Sequence, residues 1–362
     1  MLASNSIDPK YLFLLIPVIS FLGTYTLVPV AELIGDKYQL KDIPNLRKLH
    51  TQSLVRIGGV PIFVGFVLGL LSVLFTGYFE NISIENISIY GRILIITSSS
   101  IFLLGLLDDL LNLSPRFRLF FQFVIASITW VTNLRIELLD LSFLYSNLNS
   151  LVLPNAISYL ITVVWIVGII NAINWMDGAD GLATGLIIIA SFSFLVVELS
   201  NNVLYVSCIL VSLIGSAIAF LIFNYNPAKI LMGDCGSYFF GFNLAILSFI
   251  SSSDSSTALD IRTVLLILFI PLMDMVYVIF NRLKKGKSPF NPDKTHLHHR
   301  LLESGLSQKE TVKIIWGLAI VLSILALVLK GIVAPVFIFY SFILYIISDV
   351  RIKRFLKRIL LS

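Results

Sequence analysis

Charge is what this chain lacks most. Of its 362 residues only 13% are Asp, Glu, Lys or Arg, where a soluble domain carries roughly 25%. With 57% hydrophobic residues and a mean hydropathy of +0.94, apolar runs recur from end to end. This excludes a soluble enzyme on a single anchor and points to an all-α polytopic membrane protein. Cysteine is nearly absent. Cys208 and Cys235 are too few and too isolated for a disulfide framework or a thiolate metal site, and Cys208, inside an apolar run, reads as a small core residue. Internal repeats, low-complexity tracts and a soluble domain are missing too, so residues 1–362 read as one integral-membrane domain.

What is present is a series of about eleven apolar segments near 11–34, 58–79, 92–107, 119–138, 157–173, 182–199, 203–223, 236–252, 262–280, 311–329 and 332–348. Each approaches the roughly 20 residues that a bilayer requires. The first is long, barely basic at its flank and lacks a clean small-residue cleavage site, so it reads as a spanning helix and not a signal peptide. With the N-terminus outside, 21 of the 26 Lys and Arg fall on the inner side, as the positive-inside rule expects. Two inner segments are strongly basic, the loop 281–313 and the C-terminal tail 349–362. The tail, containing "RIKRFLKRILLS", reads as an amphipathic helix on the anionic inner leaflet.

The distinctive polar residues sit on that same side. Asp108 and Asp109 end an apolar run in "LLDDLLNLSPRFR". Adjacent carboxylates at a lipid boundary require a positive partner, a metal, Arg116, Arg118 or a lysine, unless they only stop a helix. In "NAINWMDGADGLATG", Asn171, Asn174, Asp177 and Asp180 are spaced by three, one stripe on a helix. That pattern suits a hard cation and the edge of a polar ligand, or a polar helix cap. "FNYNPAKILMGDCGS" carries Asn224 and sets Asp234 between glycines before an apolar run. It is an N-cap, a phosphate site at a helix N-terminus, or both.

"NPDKTHLHHR" gathers three of the four histidines, His296, His298 and His299, beside lysines and Arg300. A zinc site is one reading, but these spacings do not converge from a regular helix and the cations oppose it. A basic membrane-surface loop is another. A clamp for a phosphate or pyrophosphate suits the residues best. Carboxylates for Mg²⁺ and cations for phosphates on one face are the requirements of phosphoryl transfer, and a site at the membrane boundary suits a lipid phosphate.

Four stretches in order, "DDLLNLSPRFRLFFQ", "NAINWMDGADGLATG", "NPAKILMGDCGSYFFGF" and "KKGKSPFNPDKTHLHHRLL", resemble the polyprenyl-phosphate N-acetylhexosamine-1-phosphate transferases. That superfamily includes the phospho-MurNAc-pentapeptide translocase of peptidoglycan synthesis. The histidine motif looks like the branch that starts cell-envelope polysaccharides, because Leu297 interrupts the consecutive histidines usual in the translocase. The resemblance implies ten or eleven helices around a cytoplasmic cleft in a bacterial plasma membrane. It implies transfer of a sugar 1-phosphate, GlcNAc-1-phosphate being the first expectation, from a UDP-N-acetylhexosamine to polyprenyl (undecaprenyl) phosphate with release of UMP. Mg²⁺, with Mn²⁺ as an alternative, is the implied cofactor. Asp234 and Asn174 would hold it, and Asp108 and Asp109 would be catalytic acids. Asn171, Asp177, Asp180, Asn224 and Arg118 would bind the nucleotide-sugar with His296, His298, His299 and Arg300. Lys48 and Arg56 of the first loop are candidates for the lipid phosphate. No nucleic acid is expected as a partner, and a homodimer is among the assemblies to test.

The chain departs from the family pattern in two places. "HTQSLVRIGG" keeps His50, Arg56, Gly58 and Gly59 without the usual prolines, and Leu231 stands where relatives often have Phe. Asp274 is an intramembrane carboxylate with no partner legible in the sequence, functional or packing in role. A transporter of an anionic substrate is the reading from another class, but transporters place charge at the bilayer midplane and here it gathers at one face.

Overall fold

The computed structural model describes residues 9–43, 53–72, 89–140, 151–201, 203–250, 258–288 and 295–332. Lys48, the expected span at 332–348 and the basic tail lie outside them. Twelve helices are described: α1 Pro9–Lys37, α2 Gly59–Ser72, α3 Ile89–Leu111, α4 Pro115–Val131, α5 Asn155–Met176, α6 Leu182–Ser200, α7 Leu204–Asn224, α8 Gly233–Ile250, α9 Ile261–Ile267, α10 Phe269–Lys284, α11 Leu297–Glu303 and α12 Gln308–Leu329. Among the described residues six helices are long and apolar enough to cross a membrane, or seven if the bent pair α9 and α10 counts as one span. That pair is the expected segment 262–280, and it is not straight: the axis turns by 79°. Pro271, near the start of α10, supplies the cause. It has no N–H for the preceding turn, and its ring crowds the carbonyl four residues back.

α8 lies at the centre, buried from Cys235 through Phe249, as expected of a helix apolar on every face. Glycines let its neighbours approach to backbone contact. A Cβ on Gly105 of α3 would lie 2.5 Å from the Asp234 carbonyl oxygen, and one on Gly59 of α2 would lie 2.2 Å from the Gly236 nitrogen. These approaches press the next turn of α3, which carries Asp108 and Asp109, onto the N-terminus of α8. On the far side α1, α2 and α7 pack through Gly65, Gly69 and Gly215. Small residues allow this close packing where the hydrophobic effect gives helices little reason to associate. Ser20 donates to the Ser212 carbonyl there at 2.7 Å.

Short strands cap both ends. β1 (Lys41–Asp42) pairs antiparallel with β2 (Leu54–Val55), and Val55 bridges to Ile230, tying the first loop to the segment before α8. At the other end β3 (Leu138–Asp140) lies between β4 (Leu151–Val152) and β5 (Ala258–Asp260). The C-termini of α3, α5, α7 and α10 and the N-termini of α4, α6, α8 and α12 therefore meet at the end bearing β1 and β2.

Candidate active site

A cavity of about 840 Å³ opens at that end, within the usual range of ligand pockets. Arg56, Arg118, Asn171, Asn174, Asp177, Asp180, Asn224, Asp234, His296, His298 and His299 line it. Segments far apart in sequence thus converge as expected. Arg300 does not join them: its guanidinium lies 4.6 Å from the centre of the Tyr277 ring, and it is exposed.

Asp109 is buried behind the cavity wall. Its Oδ1 accepts from Asp234 N and its Oδ2 from Cys235 N, each at 2.9 Å. The carboxylate therefore caps the N-terminus of α8 and meets its partial positive charge. Arg56 donates to the same Oδ1 from Nε at 3.1 Å and from Nη2 at 2.9 Å. It also reaches Asp234 Oδ2 at 3.1 Å and Asn112 Oδ1 at 3.1 Å. Asp108 is buried likewise. Leu113 N donates to its Oδ1 at 3.0 Å, and Arg118 and Tyr238 donate to its Oδ2 at 2.8 and 3.1 Å. The adjacent acids thus take opposite arginines as partners, which resolves their repulsion.

Asp234 opens to the cavity, its side chain 16% exposed. Asn174 donates to its Oδ1 at 2.7 Å and to Ser237 Oγ at 2.9 Å, so the amide nitrogen of Asn174, not its oxygen, faces that carboxylate. Asp177 follows the last turn of α5. Burial, with Asp234, Asp109 and Asp180 nearby, holds its carboxyl well above the usual range. So much negative charge suits a divalent cation. Among the described residues no three His, Cys, Asp or Glu converge to enclose a metal by themselves. Asp234, open to the cavity, with Asp177 in the same lining fits Mg²⁺, which takes one or two carboxylates and completes its shell with phosphates and water.

Asp180 and Asn224 brace the rim. Asn226 and the Ala228 amide donate to Asp180 Oδ2 at 2.8 and 3.1 Å. Asn224 accepts from Gly181 N and Thr184 and donates to the Ile230 carbonyl. Gln122 accepts from Asn171 at 2.7 Å. Sequence reasoning missed Gln122 and three further residues: Tyr238, Trp175 and Arg282, whose guanidinium lies 4.9 Å from the Trp175 ring. Tyr238 stands one turn beyond Asp234 and Gln122 one turn beyond Arg118, so helical spacing could have found both.

His298 rests on Gly178. Burial, then the neighbouring His299 and His296, pushes its imidazole down to about 3, so it is neutral at neutral pH. A Cβ on Gly178 would lie 2.7 Å from its Nε2. Gly178→Ala is expected to displace the ring and lower kcat/KM about tenfold, ~1.4 kcal/mol of transition-state stabilisation. Steady-state kinetics beside a thermal melt check this, the melt changing little.

Comparison with known proteins identifies the family. A family model described as "Glycosyl transferase family 4" matches residues 92–252. The chain is 34% identical to the "Probable undecaprenyl-phosphate N-acetylglucosaminyl 1-phosphate transferase" of Bacillus subtilis (strain 168), over 92% of this chain and 89% of that protein. It is 29% identical to the "Decaprenyl-phosphate N-acetylglucosaminephosphotransferase" of Mycobacterium tuberculosis (strain ATCC 25618 / H37Rv), over 81% of this chain and 76% of that protein. It is 26% identical to the "Undecaprenyl-phosphate alpha-N-acetylglucosaminyl 1-phosphate transferase" of Yersinia pestis, over 93% and 92%. The chain belongs to glycosyl transferase family 4.

Proposed function

We propose that this protein transfers GlcNAc-1-phosphate from UDP-GlcNAc to undecaprenyl phosphate, releasing UMP, as the first membrane step of a cell-envelope polysaccharide. The observation that carries this reading is a single cavity combining carboxylates, three guanidinium groups and three imidazoles, in a chain 34% identical to a relative named for that activity. One side of the cavity is apolar, formed by Leu119, Phe123, Val164, Met275 and Ile279, and suits an isoprenoid chain. The apolar segments of the sequence support about eleven spans in a bacterial plasma membrane, and the positive-inside bias supports an outside N-terminus with the cleft and C-terminus cytoplasmic.

A lipid-phosphate oxygen attacks the β-phosphorus of the donor, and UMP leaves with the electron pair of the bridging bond. Asp234, with Asp177 close by, would hold Mg²⁺, which would supply charge neutralisation to the diphosphate, while Asn174 orients the Asp234 carboxylate through its amide hydrogen bond. Arg56 and Arg118, whose guanidinium groups lie 3.1 and 3.9 Å from Asp234 Oδ2, orient the phosphates. Asp108 and Asp109 act through those arginines and through the seat of α8. Asn171 and Asp180 bind the nucleotide, and the histidines close the cleft over the diphosphate and sugar. Lys48 and Arg56 serve the lipid phosphate, and Arg300 serves the outer edge of the histidine loop. The test is UMP release by purified protein in detergent with Mg²⁺ and UDP-GlcNAc, with and without undecaprenyl phosphate. UMP is expected only with both substrates. UMP exchange into UDP-GlcNAc without lipid would instead indicate a covalent enzyme intermediate. Folded protein silent with every UDP-N-acetyl sugar would favour a transporter.

A further inference from the structure

Asp274 has a partner. It lies just beyond the break between α9 and α10, and its side chain is 2% exposed. Its Oδ2 is 2.7 Å from Nδ1 of His296, and its Oδ1 accepts from Leu297 N at 2.6 Å. His296 is the N-cap of α11 and makes no side-chain capping bond itself. Asp274 supplies that cap from another helix, so one carboxylate fixes both the start of α11 and the imidazole before it. The Trp175 ring stands edge-on to His296 at 5.6 Å and His298 stacks on it at 5.6 Å, which restricts the ring plane.

We propose that Asp274 is a positioning residue for the candidate active site, acting through His296. A carboxylate only accepts, so Nδ1 carries the hydrogen and Nε2 is the ring nitrogen left for the ligand. In this Nδ1–H form His296 presents an acceptor to the cleft, and its ligand contact is a hydrogen-bond donor such as a hydroxyl of the bound sugar or a protonated phosphate oxygen. This differs from the purely cationic role that the basic loop suggests. The break in the span is what makes the arrangement available: the turn at Pro271 brings an intramembrane carboxylate beneath a loop at the membrane boundary.

Only the activity arm of the test rests on the proposed function. The chain has four histidines, so ¹⁵N-histidine labelling of the intact protein in detergent gives a countable imidazole spectrum. His296→Ala assigns the resonance. The expected result is the Nδ1–H form for His296 in the wild type, lost in Asp274→Asn. A wild-type His296 in the Nε2–H form overturns the proposal without any Asp274 variant having to fold. In UMP release, Asp274→Asn is expected to lose about tenfold or more, and less than about twofold further in the His296→Ala background. Fully additive losses would assign Asp274 to packing alone and overturn the proposal. If the wild type released no UMP, the functional reading would fail while the spectroscopic result still decided the inference.

Discussion

Asp234→Asn is expected to abolish UMP release and leave the fold standing. Asp234 is the carboxylate of the α8 N-terminal cluster that opens to the cavity, and it is the candidate anchor for Mg²⁺. Removing its charge should cost ~4 kcal/mol of transition-state stabilisation, about a thousandfold in rate. Stability should not follow. The amide has the same shape, Arg56 keeps its bonds to Asp109, and one negative charge leaves a crowded group of acids. The check is UMP release beside a thermal melt in detergent, with the melting temperature equal to or above that of the wild type. A fully active variant would remove the metal assignment.

Asp109→Ala is expected to fail in the opposite way, through the fold. The substitution removes the acceptors for Asp234 N and Cys235 N and strips the half-buried Arg56 of its closest ion pair. Breaking a buried pair on one side costs roughly 3–5 kcal/mol, a large part of the ~5–15 kcal/mol that holds a typical domain together. Melting temperature and detergent-extracted yield should fall together. Asp109→Asn should be milder, since its amide oxygen still accepts from one of the donors. If Asp109→Ala melted like the wild type and lost only turnover, the carboxylate would be a direct catalytic acid facing the lipid phosphate, as the family resemblance implies. The two variants therefore separate a group in the cleft from one that builds its wall.

Their difference shows where sequence reading stops. Asp108, Asp109 and Asp234 each sit at the edge of an apolar run, and the sequence does not show which of them opens to a cavity. Only packing distinguishes them. Gly105 brings α3 against the backbone at Asp234, which turns Asp109 into the α8 cap and leaves Asp234 in the opening. Arg300 shows the same limit. It is adjacent to His299, yet its position on α11 sends it to Tyr277, and residue spacing in a seven-residue helix preceded by a loop could not show that. Asp274 was visible as an anomalous charge, but its partner lies 22 positions away, across a bend that hydropathy cannot report because both arms are apolar.

By itself the sequence determined the membrane class, the family, and which polar segments share one face. The class and the shared face follow from composition, span length and the distribution of Lys and Arg, and the family from the resemblance of four motifs in order, all of them local or additive quantities. The tertiary structure decided which carboxylate opens to the cavity and which stays behind it, which imidazole is neutral, and how the broken span places Asp274 under His296. Burial, helix capping and charge pairing set these, and each depends on neighbours that are distant in sequence and meet only when the helices pack.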